Sequence, residues 1–109
     1  EALKAFAIAP LADLPGRMLS AGQKRRLALA RLLVAPAQVW LLDEPTVGLD
    51  RESLGRLNQA IAAHRARGGR VVVATHAPID MDGAQVLGLD RFMPLASNAS
   101  SAFDMEERW

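Results

Sequence analysis

The chain has 109 residues, half of them hydrophobic and 23% charged, with a formal net charge of +1. This composition is typical of a globular domain, and neither half shows the strongly basic surface of a nucleic-acid-binding protein. Cysteine is absent, which excludes disulfides and thiolate metal sites. No apolar run approaches the roughly 20 residues that span a bilayer.

The first residues indicate the last turns of a helix. Residues 1–9 are rich in Ala, with Leu3 and Phe6 at helical spacing, and Pro10 is expected to end the helix. The sequence opens within this pattern at Glu1, with neither a Met nor the basic start of a signal peptide. We therefore expect these residues to come from the middle of something longer.

A second helix is predicted to begin near Ala21 and to end at Pro36. Ser20 followed three residues later by Gln23 is a capping-box pattern. Such a helix start presents free backbone N–H groups and a positive dipole end, which suit a phosphate, and Gly22 would let the backbone approach it closely. The basic residues of this helix are expected largely off its apolar side. The same pattern also fits an ordinary capped amphipathic helix.

The apolar run of residues 39–42 predicts a strand buried on both faces, as in a parallel sheet. It ends in Asp43 and Glu44, and Pro45 prevents the chain from continuing in the ladder. Such strands carry ligand chemistry at their carboxyl ends. Hydrophobic residues followed by Asp-Glu have the form of a Walker B segment, in which the first acid holds Mg²⁺ and the second activates water. A buried strand that runs into a solvated acidic turn has the same pattern.

A helix and a second strand are predicted next. Asp50 is a plausible N-cap for a helix over about residues 51–66, and residues 70–75 are a β-branched run followed by His76. A crossover of this length joins parallel strands, so His76 is expected at the same sheet edge as the two acids. Taken alone, a His after a strand is also commonly a capping or solvated residue. His64, on the predicted helix, is expected at the surface.

Four motifs together resemble the second half of an ABC-type ATPase domain. In the family's order they are the signature at residues 19–23, the hydrophobic run with Asp43 to Thr46, the turn at residues 48–50, and His76. Their separations are also similar to those of the family. The residues between them resemble the ATP-binding subunit of the bacterial haem exporter used in cytochrome c maturation.

The resemblance implies an α/β fold, the C-terminal portion of a P-loop (RecA-like) ABC ATPase domain with a mostly parallel sheet flanked by helices. Residues 1–35 would end the helical subdomain and carry the signature motif with its helix. Residues 36–96 would form the C-terminal half of the nucleotide-binding core, with a further short strand over residues 84–89, and residues 97–109 a loose tail. No Gly-rich segment ends in Gly-Lys-Ser/Thr, so a fragment without the Walker A half, inactive alone, is expected.

Carried over to this sequence, the family's signature roles fall on Ser20, Gly22 and Gln23. With the helix they start, these residues would contact the γ-phosphate of ATP held by a second ATPase subunit. Ala21 stands where the family usually has Gly, but a methyl group removes no backbone donor. Asp50 would lie at the seam of the head-to-tail dimer and communicate between the two sites.

The family's catalytic roles fall on Glu44 and His76, and its metal role on Asp43. Asp43 would position Mg²⁺, usually through water. Glu44 would be the general base or water-positioning residue. His76 would contact the γ-phosphate and help to hold the site closed.

The function that the resemblance implies is an ATP-binding and ATP-hydrolysing subunit of an ABC transporter, using ATP and Mg²⁺. It would power export of haem or a related cargo for cytochrome c maturation. Integral membrane permease subunits would be its partners, no nucleic acid is expected, and the location would be peripheral, at the cytoplasmic face of the bacterial inner membrane. Two alternatives remain: a non-catalytic remnant or interaction fragment, and a non-transport ABC ATPase of DNA repair or translation.

Overall fold

A computed structural model of the chain describes residues 1–77, 79 and 81–93. The principal elements in chain order are the helix α1 (Ala2–Ala5), the helix α2 (Ala21–Val34), the strand β1 (Val39–Asp43), the helix α3 (Arg51–Ala66) and the strand β2 (Arg70–Ala74). Short 3-10 helices cover Ala9–Leu11, Gly16–Met18 and Asp90–Phe92. The tail predicted at residues 97–109 lies outside the described residues.

The two strands form a parallel pair, with Val39 opposite Arg70 and Asp43 opposite Ala74. Since both strands run in the same direction, their carboxyl ends lie at the same edge of the sheet. The α/β class and the parallel pairing predicted from the sequence are therefore confirmed. In the described part of the chain, this sheet has two strands.

One face of the sheet is buried and the other is open, so the expectation of burial on both faces is wrong. Trp40 and Leu42 are buried, whereas Leu41 is 75% exposed and Val72 is 58% exposed. Side chains alternate across a strand, and helices α2 and α3 contribute to one core on the Trp40 side. The buried apolar residues of that core are Phe6, Ile8, Leu29, Ala30, Trp40, Leu42, Leu57 and Ile61.

The start of α2 is the capping box that the sequence predicts. The Gln23 backbone N–H donates to Ser20 Oγ at 3.2 Å, and the Ser20 backbone N–H donates to Gln23 Oε1 at 2.8 Å. Two of the otherwise unpaired donors at the helix start are thereby satisfied. The helix ends at Val34, just before Pro36.

Helix α1 is shorter than predicted, because the chain leaves it well before Pro10. Ala7 takes a left-handed conformation with φ 55°. The Ile8 N–H then donates to the Leu3 carbonyl at 2.9 Å, and the Ala7 N–H donates to the Lys4 carbonyl at 3.0 Å. These two bonds are those of a Schellman motif, which ends a helix without proline.

His64 is buried at 6% exposure, so the expectation that it lies at the surface is wrong. Its ring stacks on Trp40 with centroids 4.0 Å apart and an angle of 8°. The Nε2 atom lies 3.2 Å from the Gln38 carbonyl oxygen, to which the ring N–H donates. His64 continues the apolar side of α3, since it lies seven residues after Leu57 and three after Ile61.

Residues 84–89 form no strand, contrary to the prediction. Val86, Leu87 and Leu89 are exposed, and these residues pair with neither strand of the described sheet. An apolar run becomes a strand only when a neighbouring strand accepts its backbone hydrogen bonds. A short 3-10 helix, Asp90–Phe92, follows instead.

Candidate functional site

Glu44, the first residue after β1, has a left-handed backbone conformation with φ 43°. A non-glycine residue rarely adopts this region, and it does so where surrounding contacts fix it. The Glu44 N–H donates to the Ala74 carbonyl at 2.8 Å, which ties the turn to the end of β2. The carboxylate of Glu44 is consequently held beside the residues that follow β2.

Thr75 and His76 both bind this carboxylate. Thr75 Oγ1 donates to Glu44 Oε2 at 3.1 Å, and the His76 backbone N–H donates to Glu44 Oε1 at 3.1 Å. His76 Nδ1 contacts the same Oε1 atom. The prediction that His76 and Glu44 share one edge of the sheet is confirmed by these contacts.

The hydrogen bond from the His76 side chain is the main cause that holds the pKa of Glu44 below its ordinary value. Partial burial acts in the opposite direction, and the Thr75 hydroxyl lowers the pKa further. Glu44 is therefore ionised at neutral pH. An ionised and oriented carboxylate is suited to accept a hydrogen bond or a proton from a water molecule.

The start of α2 and the two acids at the carboxyl end of β1 line one cleft. The cleft has a volume of about 370 Å³ and is lined by Ala21, Gly22, Arg25, Asp43, Glu44, Val47 and Gly48. A Cβ atom at Gly22 would meet nothing within 4 Å. The packing of the described residues therefore does not require glycine at that position, which leaves room for a ligand to approach the backbone.

Arg25 is a residue of this cleft that the sequence analysis did not single out. Its Nη2 donates to the backbone carbonyl of Glu44. Its Nε is buried and has no hydrogen-bond partner among the described residues. No sequence pattern predicts this contact, because it depends on the left-handed turn that directs the Glu44 carbonyl toward α2.

Asp50 is the N-cap of α3, as predicted, and does not line the cleft. Its Oδ1 accepts from the Ser53 N–H at 2.8 Å. The hydrogen bonds from Ser53 are the main cause that lowers the pKa of Asp50, and the charge of Arg26 lowers it further. The carboxylate of Asp50 therefore has a role in the fold, in starting α3.

The chain is similar in sequence to a known family and to known proteins. Residues 1–47, which include residues 19–23 and the two acids Asp43 and Glu44, match the family model described as ABC transporter. The cytochrome c biogenesis ATP-binding export protein CcmA of Rhodospirillum rubrum is 63% identical over 98% of this chain and 46% of its own length. The resemblance to the ABC ATPases is confirmed.

Other relatives have similar coverage. The protein of the same name from Paramagnetospirillum magneticum is 60% identical over 84% of this chain and 42% of its own length. The ABC transporter I family member 1 of Arabidopsis thaliana is 45% identical over 98% of this chain and 45% of its own length. The chain spans about half the length of the curated relatives it matches.

ABC ATPases use Mg²⁺ together with ATP, and the donors of this cleft fit that ion when phosphates complete its shell. Mg²⁺ commonly takes one or two carboxylates, several waters and substrate phosphates. Asp43 is exposed and lines the cleft, while the Glu44 carboxylate is occupied by His76 and Thr75. Within residues 1–77, 79 and 81–93, no group of three or more His, Cys, Asp or Glu side chains could hold a metal alone.

The helices of the described residues are short or carry charged side chains. None of them is both long enough and apolar enough to cross a membrane. The longest, α3, has 16 residues and carries charged side chains along its length.

Proposed function

We propose that this chain is part of the ATP-binding and ATP-hydrolysing subunit of an ABC transporter. Hydrolysis would power export of haem or a related cargo for cytochrome c maturation. The relatives named as cytochrome c biogenesis ATP-binding export proteins support an export role in that process. The single observation that carries the chemistry is the ionised Glu44 carboxylate, fixed by His76 and Thr75 beside Asp43 and the start of α2.

In this proposal Glu44 orients and activates the attacking water. Its Oε1 is fixed by His76 and its Oε2 by Thr75, so the carboxylate is preorganised before nucleotide arrives. Preorganised groups lower the barrier because they need no reorientation during the reaction. The His76 side chain is 98% exposed, which leaves its imidazole accessible to a γ-phosphate.

Asp43 would hold Mg²⁺ through water, at the end of β1 and next to Glu44. When bound, the ion neutralises charge on the β- and γ-phosphates. Asp43 contributes one exposed carboxylate at the cleft, and the nucleotide supplies the remaining anionic ligands.

The start of α2 would contact ATP held by a second ATPase subunit, in a head-to-tail dimer. The capping box of Ser20 and Gln23 uses their own backbone N–H groups, which leaves those of Ala21 and Gly22 for a ligand, and no acidic residue lies in the first turn. The positive end of the helix dipole is thus available to an anion. Asp50 would lie at the dimer seam. The dimer would dock on integral membrane permease subunits at the cytoplasmic face of the bacterial inner membrane, with no nucleic acid involved.

The main phosphate cradle would come from protein outside these 109 residues, since they contain no Gly-Lys-Ser/Thr loop. The open face of the sheet supports this part of the proposal. Val39, Leu41 and Val72 are exposed there, on strands that a complete parallel sheet buries on both faces. The chain alone is accordingly expected to be inactive.

The test is the substitution Glu44→Gln in the full-length protein. We expect ATP hydrolysis to fall at least about 100-fold, because the amide cannot accept a proton from water, while ATP binding persists. The matched control is Glu52→Gln, since Glu52 is an exposed carboxylate that pairs with Arg56 on α3. Unchanged hydrolysis in the Glu44→Gln protein would contradict the proposed role of Glu44 in activating water.

The second candidate is a non-catalytic remnant or interaction fragment, and the open apolar sheet face is the observation that favours it. Amide hydrogen exchange of the 109-residue chain distinguishes an ATPase core from a non-catalytic remnant. Slow amide exchange in residues 39–43 and 71–75 supports the ATPase core. Uniformly fast exchange there supports the remnant.

A further inference from the structure

Arg25 connects helix α2 to the turn that holds Glu44. Its Nη2 donates to the Glu44 carbonyl, which also accepts from the Val47 N–H at 3.3 Å. Hydrogen bonds that involve a guanidinium are stronger than those between neutral groups. Among the described residues, the other hydrogen bonds of Glu44 come from the end of β2, from the two residues after it, or from its own turn.

Each polar group of Glu44 has a separate anchor. The N–H is held by Ala74, the carboxylate by Thr75 and His76, and the carbonyl by Arg25. A left-handed glutamate persists only when its surroundings over-determine its conformation. The Arg25 contact fixes the Glu44 carbonyl. The direction of that carbonyl depends on the left-handed backbone conformation of Glu44, with φ 43°.

Part of the Arg25 guanidinium is buried, which indicates that the side chain has a fixed position and does not simply extend into solvent. Its Nε is shielded from water and has no partner among the described residues, whereas its neighbour Lys24 is exposed. Buried polar atoms without a partner are uncommon in folded proteins and call for an explanation. One explanation is that the Arg25 side chain must reach the Glu44 carbonyl, which brings Nε into a buried position.

We propose that Arg25 is a positioning residue for Glu44, and that it couples the start of α2 to the orientation of that carboxylate. This inference rests on the proposed function. In the dimer, the start of α2 meets the nucleotide of the second subunit, while Glu44 serves the nucleotide of its own. Arg25 is the contact through which occupancy of one site reaches the water-activating residue of the other.

The experiment uses the full-length protein with Arg25→Met, Arg25→Lys and the control Lys24→Met. Methionine keeps an unbranched apolar stem but no donor, and Lys24→Met makes the same kind of change at the exposed neighbour. A ¹³C label on glutamate carbonyls, with the Glu44 resonance assigned through Glu44→Gln, reports the carbonyl contact directly. Steady-state kinetics give kcat and KM for ATP separately.

For Arg25→Met we expect kcat to fall about tenfold with KM for ATP changed less than about twofold, because positioning acts on the reacting geometry. The Glu44 carbonyl resonance should move. Arg25→Lys keeps the charge and a single donor without the planar fork, so both effects should be smaller. Lys24→Met should show neither effect.

Two results would overturn the inference: a Glu44 resonance that stays in place in the Arg25→Met protein, or an equal loss of kcat in the Lys24→Met protein. If Arg25→Met does not fold, Arg25→Leu, which also has no donor, takes its place, and an unmoved resonance there overturns the inference as well. A wild-type protein that hydrolyses no ATP would refute the proposed function instead. The resonance would still decide the Arg25 contact in that case.

Discussion

The two ends of the strand pair each hold a histidine, and the two histidines differ in almost every respect. At the carboxyl end, His76 is almost wholly exposed and binds a carboxylate. At the amino end, His64 is buried, stacked on Trp40, and directed at a backbone carbonyl. The same side chain thus serves packing at one end, and at the other it fixes an ionised group beside an open cleft.

The difference follows from what surrounds each ring. His64 lies on the buried side of α3, where Gly69 offers no side chain and Trp40 offers a flat surface. Its polar atom is paired, so burial costs little. His76 follows the last residue of β2, where the sheet ends and parallel strands commonly present their ligand-binding groups.

The largest expected effect is on stability, and it separates the two histidines. His64→Ala removes the stack on Trp40, leaves a cavity and takes away one of the two donors of the Gln38 carbonyl, the other being the Arg70 N–H at 2.8 Å. We expect the free energy of unfolding of the full-length protein to fall by about 3 kcal/mol. His76→Ala should lower it much less, because its side chain is exposed and only its contact with Glu44 is lost. Urea denaturation measures both, and equal losses would contradict the comparison.

A smaller effect is expected from Gly69→Ala. The added Cβ atom would lie 2.2 Å from Nε2 of His64, so the ring must move. We expect a loss of about 2 kcal/mol. The control is Gly55→Ala within α3, where a Cβ meets nothing within 4 Å and helix propensity improves by about 1 kcal/mol. A Gly69→Ala protein as stable as the Gly55→Ala protein would contradict the close packing of His64.

Much of this organisation can be predicted from sequence, where the signal is local or topological. The capping pattern at Ser20 and Gln23 locates the start of α2, and the N-cap at Asp50 locates the start of α3. The rule that a helical crossover joins parallel strands predicts that the pair is parallel. That single rule, without any detail of side chains, brings His76 to Glu44.

The features that were missed depend on neighbours in space. Burial of both sheet faces needs elements that the described residues do not supply, so Leu41 is exposed although its strand is wholly apolar. The contact of Arg25 needs the left-handed turn at Glu44. The burial of His64 did have a signal, since it continues the helical periodicity of Leu57 and Ile61. The expectation of a surface position came from the polar character of the imidazole, without regard to this periodicity.

The smallest expected effect is a change in one pKa. The His76 side chain is the main cause that lowers the pKa of Glu44, so His76→Ala should raise that pKa toward its ordinary value. Because the pKa is lowered in the folded state, this contact stabilises above the ordinary value of 4.5, and the stabilisation is lost as pH falls through the lowered value. Carbon-13 titration of Glu44 between pH 2 and 6 measures the shift, and an unchanged midpoint would contradict the assigned cause.

The most direct test of the central claim is Mg-ATP binding measured by calorimetry, first with this 109-residue chain and then with the natural upstream segment restored. The proposal predicts no binding by the chain alone and binding by the longer protein, because Asp43, Glu44 and His76 require a phosphate cradle from outside these residues. Tight binding by the chain alone would place the cradle within it and contradict the proposal. Failure of the longer protein to bind ATP would contradict the ATPase assignment itself.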